Sequence, residues 1–132
     1  MGLSADDRFE IQDLYGRYSH AVDFGDADGW ARTFTPDGVF VTPAGTFTGS
    51  TELAKFVTDA VARRGNTTRH FPSNIVVEAT PAGASGQGYF ALIRVSEGGK
   101  PGEVRVTGRY SDELVRTADG WRFSRREALT DT

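Results

Sequence analysis

The chain has 132 residues, a net charge of −3, 38% hydrophobic residues and no cysteine. Such a length predicts a single domain over residues 1–132 with a sizeable core, and the acidic balance argues against a nucleic-acid partner. The absence of cysteine excludes disulfides and thiolate metal sites, and without a signal-peptide pattern or an apolar run near the ~20 residues of a membrane span we expect a cytoplasmic protein with no membrane partner.

Helical periodicity dominates the first part of the chain. Ser4 is suited to cap a helix over residues 5–24, with Asp7 three residues later as its capping-box partner. A second short helix is predicted over residues 27–34, and it carries Trp30.

A turn at residues 35–38 and a short strand at residues 39–42 follow, and residues 46–48 are predicted to pair back on that strand. Ser50 is a candidate cap for a third helix over residues 51–64, whose apolar residues fall on one face.

The pattern of the remaining residues predicts long strands and no further helix. The predicted strands cover residues 69–78, 85–95, 104–117 and 121–129. Helices followed by long antiparallel strands favour an α+β fold. We expect a cone-shaped barrel in which the N-terminal helices pack inside a strongly curved, mostly antiparallel sheet, with a deep apolar pocket for a small ligand.

Two residues far apart in sequence are the main catalytic candidates. Asp23 ends the first helical pattern, and His70 stands just ahead of a strand-like run. An acid that orients an imidazole is the raw material of general acid–base catalysis, and Tyr18 could supply a phenol. The other histidine, His20, is expected on the surface.

Each candidate also has a structural alternative. Asp23 could simply close the helix, and Tyr18 could be a core residue because it falls on the packing stripe. On an ideal helix the directions of Tyr18 and Asp23 differ by about 140°.

Asn74 shares the strand parity of His70 and could line the pocket. Arg126 could bind an anionic group, although a surface ion pair is the simpler expectation.

No metal or cofactor is predicted. The histidines and acidic residues lack the spacing of metal ligands. There is no dinucleotide fingerprint and no phosphate-binding loop either.

Several motifs resemble one known family along nearly the whole chain. They are the run Ile11-Gln12-Asp13-Leu14-Tyr15, the pair Tyr18 and Asp23, Trp30 with Phe34, Asp37-Gly38-Val39-Phe40, Arg69-His70-Phe71, and Gly120-Trp121-Arg122-Phe123. This pattern resembles the SnoaL-like branch of the nuclear transport factor two superfamily.

The resemblance implies a catalytic pair. Scytalone dehydratase, bile acid dehydratase and hexachlorocyclohexane dehydrochlorinase are similar to this chain around its acid and its histidine. In those enzymes an Asp orients a His that removes a proton, and the matching positions here are Asp23 and His70. Tyr18 matches a tyrosine of the bile acid enzyme. The candidate substrate-binding residues are Asn74, from its strand parity, together with Phe90, Arg126 and Trp30. Phe90 is the nearest match to a second histidine of scytalone dehydratase, and Arg126 matches an arginine of the dehydrochlorinase.

Two functions remain open at this point. The first is a cofactor-independent enzyme acting on an apolar small molecule, a dehydratase or lyase with isomerase and polyketide cyclase as close variants. The second is a non-catalytic ligand-binding or assembly subunit, similar to the small subunit of a ring-hydroxylating dioxygenase. A homodimer is expected by resemblance in either case.

Overall fold

The computed structural model describes residues 2–131, and helices precede the long strands as predicted. The elements are α1 (Ala5–Asp23), α2 (Ala27–Ala31), β1 (Phe34–Thr42), β2 (Gly45–Thr48), α3 (Gly49–Arg64), β3 (Thr68–Thr80), β4 (Gly83–Arg94), β5 (Glu103–Thr117) and β6 (Gly120–Thr130). The α+β prediction is confirmed.

All six strands belong to one sheet with the order β2-β1-β6-β5-β4-β3. Neighbouring strands are antiparallel except β1 and β6, which run parallel. The sheet is therefore mostly antiparallel, as predicted. It is curved around the helices but does not close into a complete barrel.

Of the two predicted helix caps, only the one at the start of α1 is present in the structure. Ser4 and Asp7 form the predicted capping box, with reciprocal bonds of 2.9 and 3.0 Å. The prediction of Ser50 as the cap of the third helix is wrong, because α3 begins at Gly49 behind Thr48. Thr48 makes no side-chain cap, and its backbone N–H instead donates to the Glu52 carboxylate at 2.9 Å.

The segment after α2 also differs from the prediction. α2 ends at Ala31, and the strand begins at Phe34 rather than at residue 39. The predicted turn at residues 35–38 lies inside β1 as an irregularity between two stretches paired with β6. Pro36 has no N–H to donate to a ladder, which accounts for the local break.

The inner face of the sheet, the face that packs against the helices, carries the core. Register places Gly86, Asp112 and Arg126 side by side in one row of this face, and Gly88 and Tyr110 in the adjacent row. The two glycines leave room for Tyr15 of α1, since a Cβ at Gly86 would lie 2.5 Å from the Tyr15 hydroxyl oxygen. Helix α1 can approach the sheet closely for this reason.

Gly86→Ala should destabilise the protein, by roughly 1–3 kcal/mol, because the added methyl displaces the buried Tyr15 hydroxyl. Gly16→Ala is the matched control, since Gly16 lies in α1 and a Cβ there would meet nothing within 4 Å. Urea unfolding should show an unchanged or higher stability for the control. A Gly86→Ala variant as stable as the unmodified protein would contradict this packing.

Candidate active site

Asp23 is the last residue of α1, and its carboxylate faces the start of β3. The helix stops there because Gly25 adopts a positive φ of 75° and turns the chain away. Asp23 is only 4% exposed. Its Oδ2 accepts the backbone N–H of His70 at 2.9 Å, and its Oδ1 lies 2.6 Å from Nδ1 of the His70 ring. One carboxylate thus holds both the main chain and the side chain of His70.

His70 lies on the inner face of β3 near the open edge of the sheet. It stands in one row with Leu92 and Val106 of the neighbouring strands, and its side chain is 13% exposed. A carboxylate only accepts hydrogen bonds, so the contact with Asp23 places the ring proton on Nδ1. The Nε2 lone pair is then available to accept a proton from a ligand.

Tyr18 meets His70 edge to face. Their ring centroids are 6.5 Å apart at an interplanar angle of 85°. Tyr18 is 3% exposed and belongs to the buried stripe of α1, so it is a core residue and a neighbour of His70 at once. It points into the aromatic interior while Asp23 points at the backbone of β3, which agrees with their different directions on the helix.

The hydroxyl of Tyr18 sits in a polar cluster inside the core. It interacts with the hydroxyl of Tyr110 and with the guanidinium of Arg126. Burial raises the pKa of Tyr18 to about 12, although the Arg126 charge acts in the opposite direction. Burial likewise raises the pKa of Tyr110. Both phenols are therefore protonated hydrogen-bond donors at neutral pH.

Arg126 is the largest departure from the sequence-based expectation. A surface ion pair was expected, and that expectation is wrong because Arg126 is fully buried, with 0% exposure. Its Nε and Nη2 both donate to Asp112, each at 2.8 Å. Burial lowers the pKa of Arg126, but the Asp112 carboxylate outweighs this effect and raises it above the usual value. Arg126 is a buried, permanently charged group.

Aromatic rings surround this cation on several sides. Its Cζ lies 3.5–4.5 Å from the ring centroids of Tyr15, Tyr18, Tyr110 and Phe123. Ring faces are electron-rich, so they partly replace the water that a buried guanidinium loses.

Asp112, Tyr15 and Tyr110 also belong to this cluster, although none of them was predicted as a site residue. Asp112 accepts the Tyr15 hydroxyl in addition to its two bonds from Arg126. A signal was present in the sequence: Tyr110, Asp112 and Leu114 share one parity on β5, so an acid falls among inward-facing residues. A charged residue at such a position needs a buried partner.

Trp30 and Phe90, both predicted to line the ligand site, lie in the same interior. Trp30 is fully buried, its ring centroid is 5.3 Å from that of Tyr18, and it stacks on Phe56 at 5.3 Å. Phe90 stacks on Tyr110 at 4.6 Å and 21°. The structure thus places these two residues around the phenol cluster.

Asn74 does not join them, and the parity argument for it is wrong. The register of β3 against β4 shifts between Ser73 and Val76, and Asn74 adopts a left-handed φ of 55° there. The irregularity turns Asn74 to the exposed outer face of the sheet, where it lines a cavity of about 330 Å³ with Gln87 and Arg109.

The three prominent cavities lie outside the aromatic interior. One of about 470 Å³ is on the outer sheet face beside Phe71 and Tyr89, the 330 Å³ cavity adjoins it, and one of about 1120 Å³ follows the exposed side of α1 and includes His20. None of the three is lined by Asp23, His70 or Tyr18. The deep apolar pocket that the sequence predicts is therefore not one of these three cavities.

Residues 2–131 contain neither a cluster of metal-ligating side chains nor a helix able to span a membrane. No group of three or more His, Asp or Glu side chains within that range is arranged to hold a metal ion. No helix in the same range combines the length and the apolar character needed to cross a bilayer.

Buried Tyr18 makes stability sensitive to alkaline pH. Its pKa is 10.0 when unfolded and about 12 when folded, so its contribution is full below pH 10 and is lost as the pH rises through about 12. Two pKa units correspond to roughly 3 kcal/mol. Tyr18→Phe should therefore show a shallower decline in urea-unfolding free energy over this range. An equally steep decline in the variant would contradict the buried phenol.

Comparison with known proteins gives the family. The model of the SnoaL-like domain matches residues 4–127, while a search of curated proteins found no match. An NTF2-like protein with a cystatin-like fold from Novosphingobium aromaticivorans is 25% identical, covers 96% of this chain and 83% of its own, and has a TM-score of 0.83.

Two further solved structures cover both chains almost completely. Aln2 from a Streptomyces species is 25% identical over 98% of this chain and 93% of its own, with a TM-score of 0.87. A protein from Catenulispora acidiphila in complex with S-DNPA is 27% identical over 97% of this chain and 96% of its own, with a TM-score of 0.83. With a family match over residues 4–127, the chain belongs to the SnoaL-like family and has the NTF2-like fold.

Proposed function

We propose that the protein is a cofactor-independent acid–base enzyme that acts on an apolar small molecule. The reaction that we favour is that of a dehydratase or lyase. The observation that carries the proposal is the 2.6 Å contact between Asp23 Oδ1 and His70 Nδ1. That contact orients the ring and keeps Nε2 free to take a proton, which are the two requirements for a histidine base.

The proposed chemistry is proton removal next to a carbonyl group. His70 Nε2 takes the proton, the C–H electron pair forms a carbon–carbon double bond, and the carbonyl oxygen takes the negative charge. When the carbon–oxygen double bond re-forms, the electron pair of the enolate double bond forms a new double bond to the β-carbon. The β-hydroxyl leaves with its bonding pair and receives the proton held by His70, so that water departs. Isomerisation or cyclisation uses the same enolate with a different second step. Loss of water involves no net oxidation or reduction, so the proposed steps need no oxidant or reductant.

The surroundings of His70 favour an apolar substrate. Leu92 and Val106 stand beside it in the same row, and Phe90 lies in the next row. The similar protein from Catenulispora acidiphila holds S-DNPA, which supports ligand binding by a close structural relative. A cytoplasmic location belongs to the same proposal.

His70→Gln should lower turnover about 10²–10⁴-fold while the fold is kept, because the positioned base is lost. His20→Gln is the matched control, since His20 is exposed on α1, and it should retain full activity. The assay is loss of water from a panel of β-hydroxy ketones, followed by mass spectrometry, with deuterium uptake next to the carbonyl as a second readout. Turnover that survives in His70→Gln would overturn the proposed function.

A second candidate is a binding or assembly subunit, and the outer sheet face favours an interface there. Phe71 and Tyr89 are 54% and 59% exposed on this face, and Leu129 is 36% exposed beside them. Clustered exposed apolar side chains mark interaction surfaces. We propose that two copies of the chain pair through this face, in keeping with the expected homodimer.

Tyr89→Glu should convert this dimer into a monomer, because it places a charge in the apolar contact. Phe9→Glu is the control, since Phe9 is 74% exposed on α1, away from the outer sheet face. Light scattering after size exclusion measures the mass of each variant. A monomeric unmodified protein would reject the homodimer, and stable co-purification with a larger partner would favour the assembly subunit instead.

A further inference from the structure

Arg64 is a charged residue at a position where helix α3 faces the core. The inner face of this helix carries Leu53, Val57 and Ala60, and all three side chains are buried. Arg64 follows Ala60 by four residues, so it extends the same stripe by one turn. The side chain of Arg64 is half-buried as a result. Such a position is ordinarily occupied by an apolar residue.

The guanidinium of Arg64 has no partner in the part of the chain that the structure describes. Within residues 2–131 it makes no hydrogen bond and no ion pair. Burial and the like charge of Arg63 lower the pKa of Arg64, while the Asp23 carboxylate acts in the opposite direction. A guanidinium nevertheless stays charged at neutral pH. Arg64 is therefore a partly desolvated positive charge without an acceptor, and a bound anion would relieve that cost.

Two other arginines near this end of α3 differ from Arg64. Arg69 donates from Nη1 to two backbone carbonyl oxygens, at 2.9 and 2.8 Å, and its guanidinium lies over the ring of Phe24. Arg63 is exposed, so water solvates its charge. Of these three arginines, Arg64 is the one that is both partly buried and unpaired.

Arg64 lies at the same end of the interior as Asp23 and His70. Helix α3 ends at Arg64, and β3 begins after a connection of three residues. The end of α1 packs against the end of α3, since a Cβ at Gly25 would lie 3.2 Å from Cγ2 of Val61. The charge of Asp23 reaches Arg64, but both oxygens of Asp23 are already engaged by His70. Arg64 thus stands near the candidate base with its donors free.

We propose that Arg64 is a substrate-binding residue that pairs with a carboxylate group on the apolar substrate. This inference rests on the proposed function and narrows the substrate class to apolar carboxylic acids. A guanidinium can hold a carboxylate through two parallel N–H···O bonds, which fixes orientation as well as position. Arg64 is half exposed, so such a group can reach it from solvent. Arg64 would orient the molecule while His70 takes the proton.

The test uses 2-naphthoate, an apolar ring with a carboxylate, and 2-naphthamide, a neutral molecule of nearly the same shape. Arg64→Gln should weaken 2-naphthoate binding about 10-fold, because charge-assisted hydrogen bonds are lost, and leave 2-naphthamide binding unchanged. Arg63→Gln is the matched control, since it removes an equal charge one residue away on the exposed side of α3. The control should leave both affinities nearly unchanged, because an exposed charge is screened. Isothermal titration calorimetry measures both affinities.

Stability separates a binding role for Arg64 from a structural one. Arg64→Gln should be at least as stable in urea as the unmodified protein, because the substitution removes an unpaired charge and breaks no internal bond. Arg64→Lys keeps the charge but not the planar fork, so its 2-naphthoate affinity should lie between those of Arg64→Gln and the unmodified protein. A marked loss of stability in Arg64→Gln would indicate a structural role and contradict the proposal.

The remaining outcomes distinguish this inference from the proposed function. His70→Gln should still bind 2-naphthoate, so a failure of the histidine chemistry leaves the binding result readable. In the unmodified protein, 2-naphthoate should shift the NMR signals of the His70 ring at the concentrations that saturate binding. Absence of saturable 2-naphthoate binding, an equal loss in Arg63→Gln, an equal loss of 2-naphthamide affinity, or an unperturbed His70 ring would each overturn the role of Arg64.

Discussion

The carboxylate of Asp23 joins the end of the first helix to the first long strand, and the rest of the candidate site depends on it. It accepts the backbone N–H of His70 at 2.9 Å and contacts the ring Nδ1 at 2.6 Å. The first contact sets where α1 ends against β3, and the second sets the orientation of the imidazole. Because the carboxylate is almost completely buried, these bonds also compensate the loss of its hydration. Folding and the proposed chemistry therefore share one interaction.

A second buried carboxylate organises the deeper part of the interior. Asp112 pairs with Arg126 inside a shell of aromatic rings. A buried ion pair is often no more stabilising than apolar residues of similar volume, so stability alone does not account for it. This buried pair places the Arg126 charge against the ring of Tyr18, which also neighbours the His70 ring of the proposed base.

Local periodicity was sufficient to predict α1, α3 and the long strands, but not the features that depend on partner strands. Arg126 faces inward because β6 shifts register against β5 between Glu113 and Leu114, and such a bulge reverses the alternation that a sequence shows. The same kind of shift turns Asn74 outward. Phe34 joins β1 through parallel pairing with Phe123 of β6, which is distant in the chain, and residues 35–38 form the irregularity before the pairing resumes at Val39. The pairing of Asp23 with His70 followed from family resemblance, since their spacing alone carries no such information.

The most direct measurement is ¹⁵N NMR of the His70 ring at a pH where the imidazole is neutral, assigned by comparison with His70→Gln. An Asp23-bound ring must carry its proton on Nδ1 and leave Nε2 unprotonated, and Asp23→Asn should abolish this single-tautomer pattern. A ring protonated on Nε2, or a pattern unchanged in Asp23→Asn, would contradict the orientation on which the proposed base depends.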